Sequence, residues 1–313
     1  MSRPLAFLFP GQGSQTVGMG RALVERFPVA AEVFAEADAA LGFPLSTLCF
    51  EGPEEDLILT HNTQPAIVTT SVAAWRALAQ EVDLQPVCVA GHSLGEYSAL
   101  VVAGALDFAD AVCIVRERGR LMQAAVPPGV GAMAALFGLS EQVVAAVCTE
   151  AAQGEVISPA NLNGGDQVVI AGHAGAVQRA VAGAKARGAK RAVELAVSAP
   201  FHCALMAPAA EGLARVLEPR TVRPLSVGVI VNATAEVNRD AEQVKDLLVR
   251  QVTAPVRWEE SMQRVRDLGC EGAVELGAGR VLSGLFKRID RKFPCVSISD
   301  PDSLAASLEW LRS

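Results

Sequence analysis

Aromatic side chains make up only 5% of the 313 residues, so Ala, Val, Leu and Gly must fill the core. Basic charge is also in deficit. Lys and Arg total 27 against 34 Asp and Glu, a formal net charge of −7, which argues against general nucleic-acid binding. The seven cysteines show neither metal-ligand spacing nor a CxxC, and their odd number fits no disulfide framework. Reduced thiols, no metal site and a cytoplasmic location are therefore expected. No run approaches the ~18 apolar residues of a membrane-spanning helix, and the apolar stretch before Pro10 is too short for a signal peptide. Internal repeats and low-complexity tracts are missing too. What is present in quantity is apolar mass, 51% of the chain. That is enough for a sizeable core in one large α/β domain with an insertion.

Apolar runs alternate with helical periodicity. Leu5–Phe9 reads as a buried strand running into the Gly-rich turn "PGQGSQ". Helical patterns follow from about Val17 to Leu41. "TQPAIVTTSVAAWRALAQEV" reads as a long helix entering at Thr63, with Pro65 in its first turn. Val87–Ala90 is a strand, Leu94–Ala103 a helix, and another helix starts near Asp107. "PPG" at 127–129 marks a change of texture. After it come a strand (Ala132–Leu139), a helix (Glu141–Ala152), two strands (Glu155–Ala160 and Gln167–Ala171), a helix (Ala174–Arg187) and a strand (Arg191–Val197). That β-α-β-β-α-β order is ferredoxin-like. The chain then returns to α/β texture: strand Val227–Val231, helix Ala241–Gln251, strand Ala273–Leu276, helix Val281–Ile289, strand Cys295–Ile298. The expected fold is a large α/β domain with a mostly parallel sheet, from residues 1–126 and 199–313, carrying an inserted small domain at 127–198.

Gly91-His92-Ser93-Leu94-Gly95 fits G-x-S-x-G between a strand and a helix, the pattern of a nucleophile elbow. Flanking side chains would clash in so sharp a turn, hence glycines at both ±2 positions. The Leu94 N–H, at the helix start, can face a developing oxyanion. A plain serine N-cap is the competing explanation. A nucleophilic serine needs a base, and there are only four histidines. His92 should diverge from its neighbour Ser93. His173 follows a strand of the insertion. His61 precedes a helix, where capping or solvent exposure suffices. His202, in the Pro-bearing loop "SAPFHCALM", is left as the candidate, against the alternative of a structural histidine.

Arg118 stands out on helical geometry. At ~100° per residue, Ala111, Ile114, Val115, Leu121, Met122 and Ala125 fall within about 60° of it. Arg116 and Arg120 fall about 160° away. A charge in mid-stripe is costly unless paired. Its partner is either an internal carboxylate or a carboxylate brought by a substrate, which a guanidinium fork binds bidentately.

"FLFPGQGSQ", "GHSLGEYSAL", "ERGRLMQAAVP", "PFH" and "VELGAGRVLSGLFKRI" occur in this order. Together they resemble the malonyl-CoA:acyl-carrier-protein transacylase family of fatty-acid synthesis, kin to polyketide-synthase acyltransferase domains. The likeness runs from Phe7 to about Ile289. It implies an α/β-hydrolase-like large domain with a ferredoxin-like insertion, Ser93 as nucleophile and His202 as base. It also implies that the Gln12 N–H joins that of Leu94 in the oxyanion hole, that Arg118 holds the substrate carboxylate, and that the Gln251 backbone carbonyl orients the histidine. Gln64 falls near the site. Phe201 stands where some bacterial members carry serine. In related polyketide domains phenylalanine there goes with malonyl and serine with methylmalonyl. The activity implied is ping-pong transfer of malonyl from malonyl-CoA to the phosphopantetheine thiol of acyl carrier protein, with no bound cofactor, by a monomer.

The carrier protein in this pathway is acidic, so an acidic enzyme needs local basic patches to dock it. "KARGAKR", with Lys190 and Arg191, and "FKRIDRK", with Lys287 and Arg288, are candidates; ordinary solvated charge is the alternative. A serine esterase or thioesterase would share the elbow without needing the buried arginine. A non-catalytic carrier-binding module and an acyltransferase acting in trans for a polyketide synthase are the other readings.

Overall fold

The computed structural model describes residues 3–195, 197 and 199–312. Among the described residues ten strands form two sheets: β1 (Leu5–Phe9), β2 (Cys88–Gly91), β3 (Gly131–Phe137), β4 (Ile157–Gly164), β5 (Gln167–His173), β6 (Arg191–Glu194), β7 (Gly228–Ile230), β8 (Val237–Asn238), β9 (Gly272–Leu276) and β10 (Cys295–Ile298). The larger sheet has the order β10-β9-β1-β2-β7-β8. All its pairings are parallel except β7 with β8.

All five residues of β1 are buried, as expected for a parallel strand covered on both faces. Its side chains alternate between two cores. Leu5, Phe7 and Phe9 face the cluster that includes Ile67, Val72 and Ile114. Ala6 and Leu8 face Trp258, Met262, Leu282 and Phe286. In register, Phe9 lies opposite Gly91, so the turns that follow β1 and β2 emerge side by side at one sheet edge.

The smaller sheet has the order β4-β5-β3-β6 and is antiparallel throughout. It also alternates. Ala134 and Leu136 of β3 pack with Val144, Val147, Val177 and Ala180 of the helices Glu141–Ala152 and Ala174–Ala186. Met133 and Ala135 instead join the main core of the large sheet. One face of this sheet is therefore turned toward the rest of the molecule.

Several expectations need correction. The long helix spans Thr60–Glu81, so Pro65 sits inside it rather than in its first turn. His61 is thus within that helix, not before it. Leu59 starts the helix with backbone alone, its carbonyl accepting from the Asn62 and Thr63 N–H groups. The strand expected at Glu155–Ala160 lies at Ile157–Gly164. Pro159 and the run "NLNG" disguised it. Proline is tolerated there because β4 is an edge strand and its register shifts between Pro159 and Asn161. The helices Leu45–Glu51, Trp258–Asp267 and Pro301–Arg312 were not anticipated. Of the strand expected at Arg191–Val197, Arg191–Glu194 is extended and Ala196 lies outside the described residues. Ser198, the expected end of the insertion, lies outside them too. Among the described residues no helix is long and apolar enough to cross a membrane.

Candidate active site

The elbow after β2 is built by contact. A Cβ on Gly91 would stand 1.9 Å from the Gly95 carbonyl carbon, and one on Gly95 2.0 Å from the Phe9 carbonyl oxygen. Any side chain at either position would push the helix Gly95–Val102 off the sheet. Ser93 itself takes φ +50, a left-handed conformation unusual for a non-glycine residue. Asn232, just beyond β7, holds it there. Its Oδ1 accepts from the Ser93 N–H at 2.5 Å, and its Nδ2 donates to the Gly91 carbonyl at 2.6 Å.

The structure brings His202 to this serine. Its Nε2 lies 2.7 Å from Ser93 Oγ. Its Nδ1 lies 2.9 Å from the Gln251 carbonyl oxygen and 3.2 Å from that of Ala254. Both are pure acceptors, so Nδ1 carries the proton and Nε2 is left bare toward the serine. His202 also has a left-handed backbone, φ +60, and is 3% exposed. Burial, reinforced by the positive charge of Arg118, pushes its imidazole down to about 3. The ring is therefore neutral at physiological pH.

Arg118 is 2% exposed. Its Nη2 donates to Ser93 Oγ at 3.2 Å and to Gln251 Oε1 at 3.0 Å, and its Nη1 to Gln64 Oε1 at 2.8 Å. All three are uncharged oxygens. Among the described residues it forms no ion pair, and its Nε–H has no hydrogen-bond partner. Its neighbours on the helix Phe108–Ala124 behave differently. Arg116 lies over the Phe43 ring at 4.0 Å, and Arg120 hydrogen-bonds Glu117 on the exposed side.

Ser93, His202 and Arg118 line a cavity of about 630 Å³ with Gln12, Gln64, His92, Leu94 and Phe201. Met133, Asn161, Leu195 and Val197 close it from the side of the smaller sheet. Gln12 is exposed in the turn after β1, whereas Leu94 and Phe201 are buried.

Two of the other histidines have partners of their own. His92 diverges from the serine, its Nε2 2.9 Å from Asn163 Oδ1. His173 accepts the Val156 N–H on Nδ1 at 2.9 Å. The basic residues are not among those that line the cavity. Lys190 and Arg191 are exposed beside β3, where Arg191 covers Phe137. Lys287 lines a groove with Arg280 and Arg291. Arg288 lines another groove and hydrogen-bonds Gln167 of the smaller sheet.

Sequence reasoning missed three parts of this site: Asn232, Glu96 and the side chain of Gln251. Glu96 did carry a signal, as the one charge in the apolar helix "GEYSALVV". Asn232 carried none.

The Acyl transferase domain family matches residues 6–288. The chain belongs to that family. The acyltransferase is 50% identical over 304 residues, 97% of its length and 98% of the relative's, to the malonyl CoA-acyl carrier protein transacylase of Escherichia coli (strain K12). A solved malonyl CoA-acyl carrier protein transacylase from Coxiella burnetii superposes with a TM-score of 0.98 at 42% identity, covering 100% of this chain and 99% of that one. A third relative is a malonyl-transacylase solved in complex with its type II PKS acyl-carrier protein. It matches with a TM-score of 0.95 at 47% identity, covering 98% of this chain and 99% of that one.

Proposed function

We propose that this acyltransferase moves a malonyl group from malonyl-CoA to the phosphopantetheine thiol of acyl carrier protein in fatty-acid biosynthesis, through a malonyl ester on Ser93. The observation that carries this reading is Arg118, a buried guanidinium 3.2 Å from Ser93 Oγ that lies over the Tyr97 ring and whose hydrogen bonds all go to uncharged oxygens. Such a cation calls for a carboxylate from outside the protein, and a simple esterase has no use for it.

His202 Nε2 takes the Ser93 proton as Oγ attacks the thioester carbonyl. The N–H groups of Gln12 and Leu94 hold the oxyanion. When the tetrahedral adduct collapses, the proton passes to sulfur and coenzyme A leaves as its thiol. The malonyl carboxylate rests on Arg118 meanwhile. It offsets the charge that depresses His202, so the imidazole becomes more basic as substrate binds. The carrier's thiol then gives its proton to His202, attacks the ester and releases Ser93, which makes the kinetics ping-pong. The Gln251 carbonyl takes the role that a carboxylate has in a Ser-His-Asp triad. No bound cofactor enters these steps. Residues 127–198 act as an inserted small domain that roofs the cavity. The seven free cysteines support a cytoplasmic location, and a monomer suffices because all the named groups come from one chain.

Intact-mass measurement after incubation with malonyl-CoA tests the reading. One malonyl adduct per chain, discharged by the phosphopantetheinylated carrier, is expected. Steady malonate release without an adduct would point to a hydrolase, and no reaction to a non-catalytic carrier-binding module. The 47%-identical relative paired with a type II PKS carrier favours a second reading, service to a polyketide synthase in trans. Comparing carriers of both kinds as acceptors separates the two.

Phe201, 8% exposed, walls the cavity beside His202, and its bulk disfavours an α-methyl branch. Phe201→Ser is expected to raise methylmalonyl over malonyl transfer by roughly tenfold to a hundredfold, since one methyl group is worth about 1–3 kcal/mol. An unchanged ratio of kcat/KM values removes Phe201 from the selectivity argument.

For docking, Lys287→Glu together with Arg288→Glu should raise KM for the carrier severalfold and weaken its salt dependence, with less effect on acylation by malonyl-CoA. An unaffected carrier KM moves the docking surface to Lys190 and Arg191.

A further inference from the structure

The chemistry above leaves one buried charge of the site without a task. Glu96 lies three residues beyond the nucleophile, on a helix whose every residue is buried, and is itself 1% exposed. A carboxylate in that position is costly unless its oxygens are satisfied. Its Oε2 accepts from the Asn232 N–H at 2.8 Å and from Gln251 Nε2 at 3.0 Å.

Gln251 Nε2 also donates to the Ser93 carbonyl at 3.0 Å, while Oε1 accepts from Arg118 Nη2 at 3.0 Å. Which end of an amide faces which neighbour is decided by what those neighbours can donate or accept. Two pure acceptors, the Glu96 carboxylate and the Ser93 carbonyl, stand on the Nε2 side. A guanidinium, a pure donor, stands on the Oε1 side. With an ionised carboxylate at 96, the reversed amide would set oxygen against oxygen and NH2 against guanidinium. The Oε1 atoms of Gln251 and Gln64 then hold Nη2 and Nη1 and fix the plane of the Arg118 fork. Burial pushes the Glu96 carboxyl up to about 7, against its hydrogen bonds from Asn232 and Gln251 and the nearby charge of Arg118.

We propose that Glu96 is a positioning residue for recognition of the substrate's carboxylate: it fixes the Gln251 amide with its oxygen toward Arg118, and so sets the guanidinium plane and the preference for acyl groups that end in a carboxylate. This rests on the reading of Arg118 as the carboxylate's partner. Glu96 touches no reacting atom; it reaches the Arg118 fork through Gln251, and its second hydrogen bond, from the Asn232 N–H, serves both acyl groups alike. The arrangement also explains why the site keeps a buried carboxylate that never contacts the histidine.

Glu96→Gln keeps the size of the side chain but offers an NH2 as well as an oxygen, so position 96 no longer holds the Gln251 amide, whose orientation is left to the Ser93 carbonyl and Arg118. The test measures kcat and KM with malonyl-CoA and acetyl-CoA for the wild type, Glu96→Gln, Arg118→Ala and the double variant. In Glu96→Gln the malonyl-to-acetyl ratio of kcat/KM should fall roughly tenfold, the size of one weakened charge-assisted hydrogen bond. The loss should lie mainly in KM for malonyl-CoA. On the Arg118→Ala background the same substitution should leave the ratio where Arg118→Ala alone puts it. Equal losses for both acyl groups, or a further fall in the ratio on that background, would overturn the proposal while leaving the Arg118 reading intact. If Arg118→Ala itself fails to discriminate between the acyl groups, the underlying reading falls and this proposal with it. Should Glu96→Gln fail to fold, Gln251→Met removes the amide and keeps the carbonyl that holds His202. It must then show the same selective rise in KM for malonyl-CoA, and an unchanged KM would refute the role of the amide.

Discussion

Replacing Ser93 by alanine should abolish the acyl-enzyme altogether. After incubation with malonyl-CoA, the intact mass of the variant should equal that of the untreated chain. The substitution removes one oxygen, the atom that lies 2.7 Å from His202 Nε2 and 3.2 Å from Arg118 Nη2. It keeps the Cβ, so the left-handed backbone at φ +50 is no more strained than before. The clamp on that backbone, from Ser93 N–H to Asn232 Oδ1 at 2.5 Å, uses no side-chain atom of the serine. The fold should therefore survive, with Tm close to that of the parent. A malonylated Ser93→Ala protein would show that another nucleophile carries the group.

The parts of this architecture that show in the sequence are those set by steric rules and by repeating patterns. Gly91 and Gly95 flank Ser93 because a Cβ at either position collides with backbone, so the elbow is written locally, within five positions. Strands buried on both faces read as short apolar runs, as Leu5–Phe9 does. Arg118 could be read because its helix is long enough to show an apolar stripe. What did not show depends on single contacts between distant positions. Ser93, Glu96, Asn232 and Gln251 meet through hydrogen bonds spanning up to 158 positions, and isolated polar residues have no period to betray them. The helix Trp258–Asp267 was hidden by its charges, although Trp258, Ser261, Met262 and Val265 are buried at helical spacing. The depressed basicity of His202 comes from burial and from Arg118, and neither cause is visible in "PFH".

Arg118→Ala is expected to separate substrates rather than merely slow the enzyme. The substitution removes the only charged group proposed to meet the malonyl carboxylate, and leaves Ser93, His202 and both oxyanion donors in place. Desolvating a carboxylate with no partner is costly, and truncating one side of a buried charge pair costs about 2–5 kcal/mol. Malonyl transfer should therefore fall by roughly 30-fold to several-thousandfold in kcat/KM. Acetyl transfer has no carboxylate to pair, so it should fall far less. Loss of the charge that depresses His202 and of the hydrogen bond from Arg118 Nη2 to Ser93 Oγ both work in favour of acetyl transfer. Arg118→Lys should recover only part of the malonyl activity. An ammonium has no planar fork to span Gln64 Oε1, Gln251 Oε1 and a carboxylate together. The measurement is acyl-enzyme formation with malonyl-CoA and acetyl-CoA in parallel, with Tm recorded for each variant. Equal losses for the two acyl groups, or a collapse of Tm, would make Arg118 a support of the fold and leave the recognition of the carboxylate to another residue.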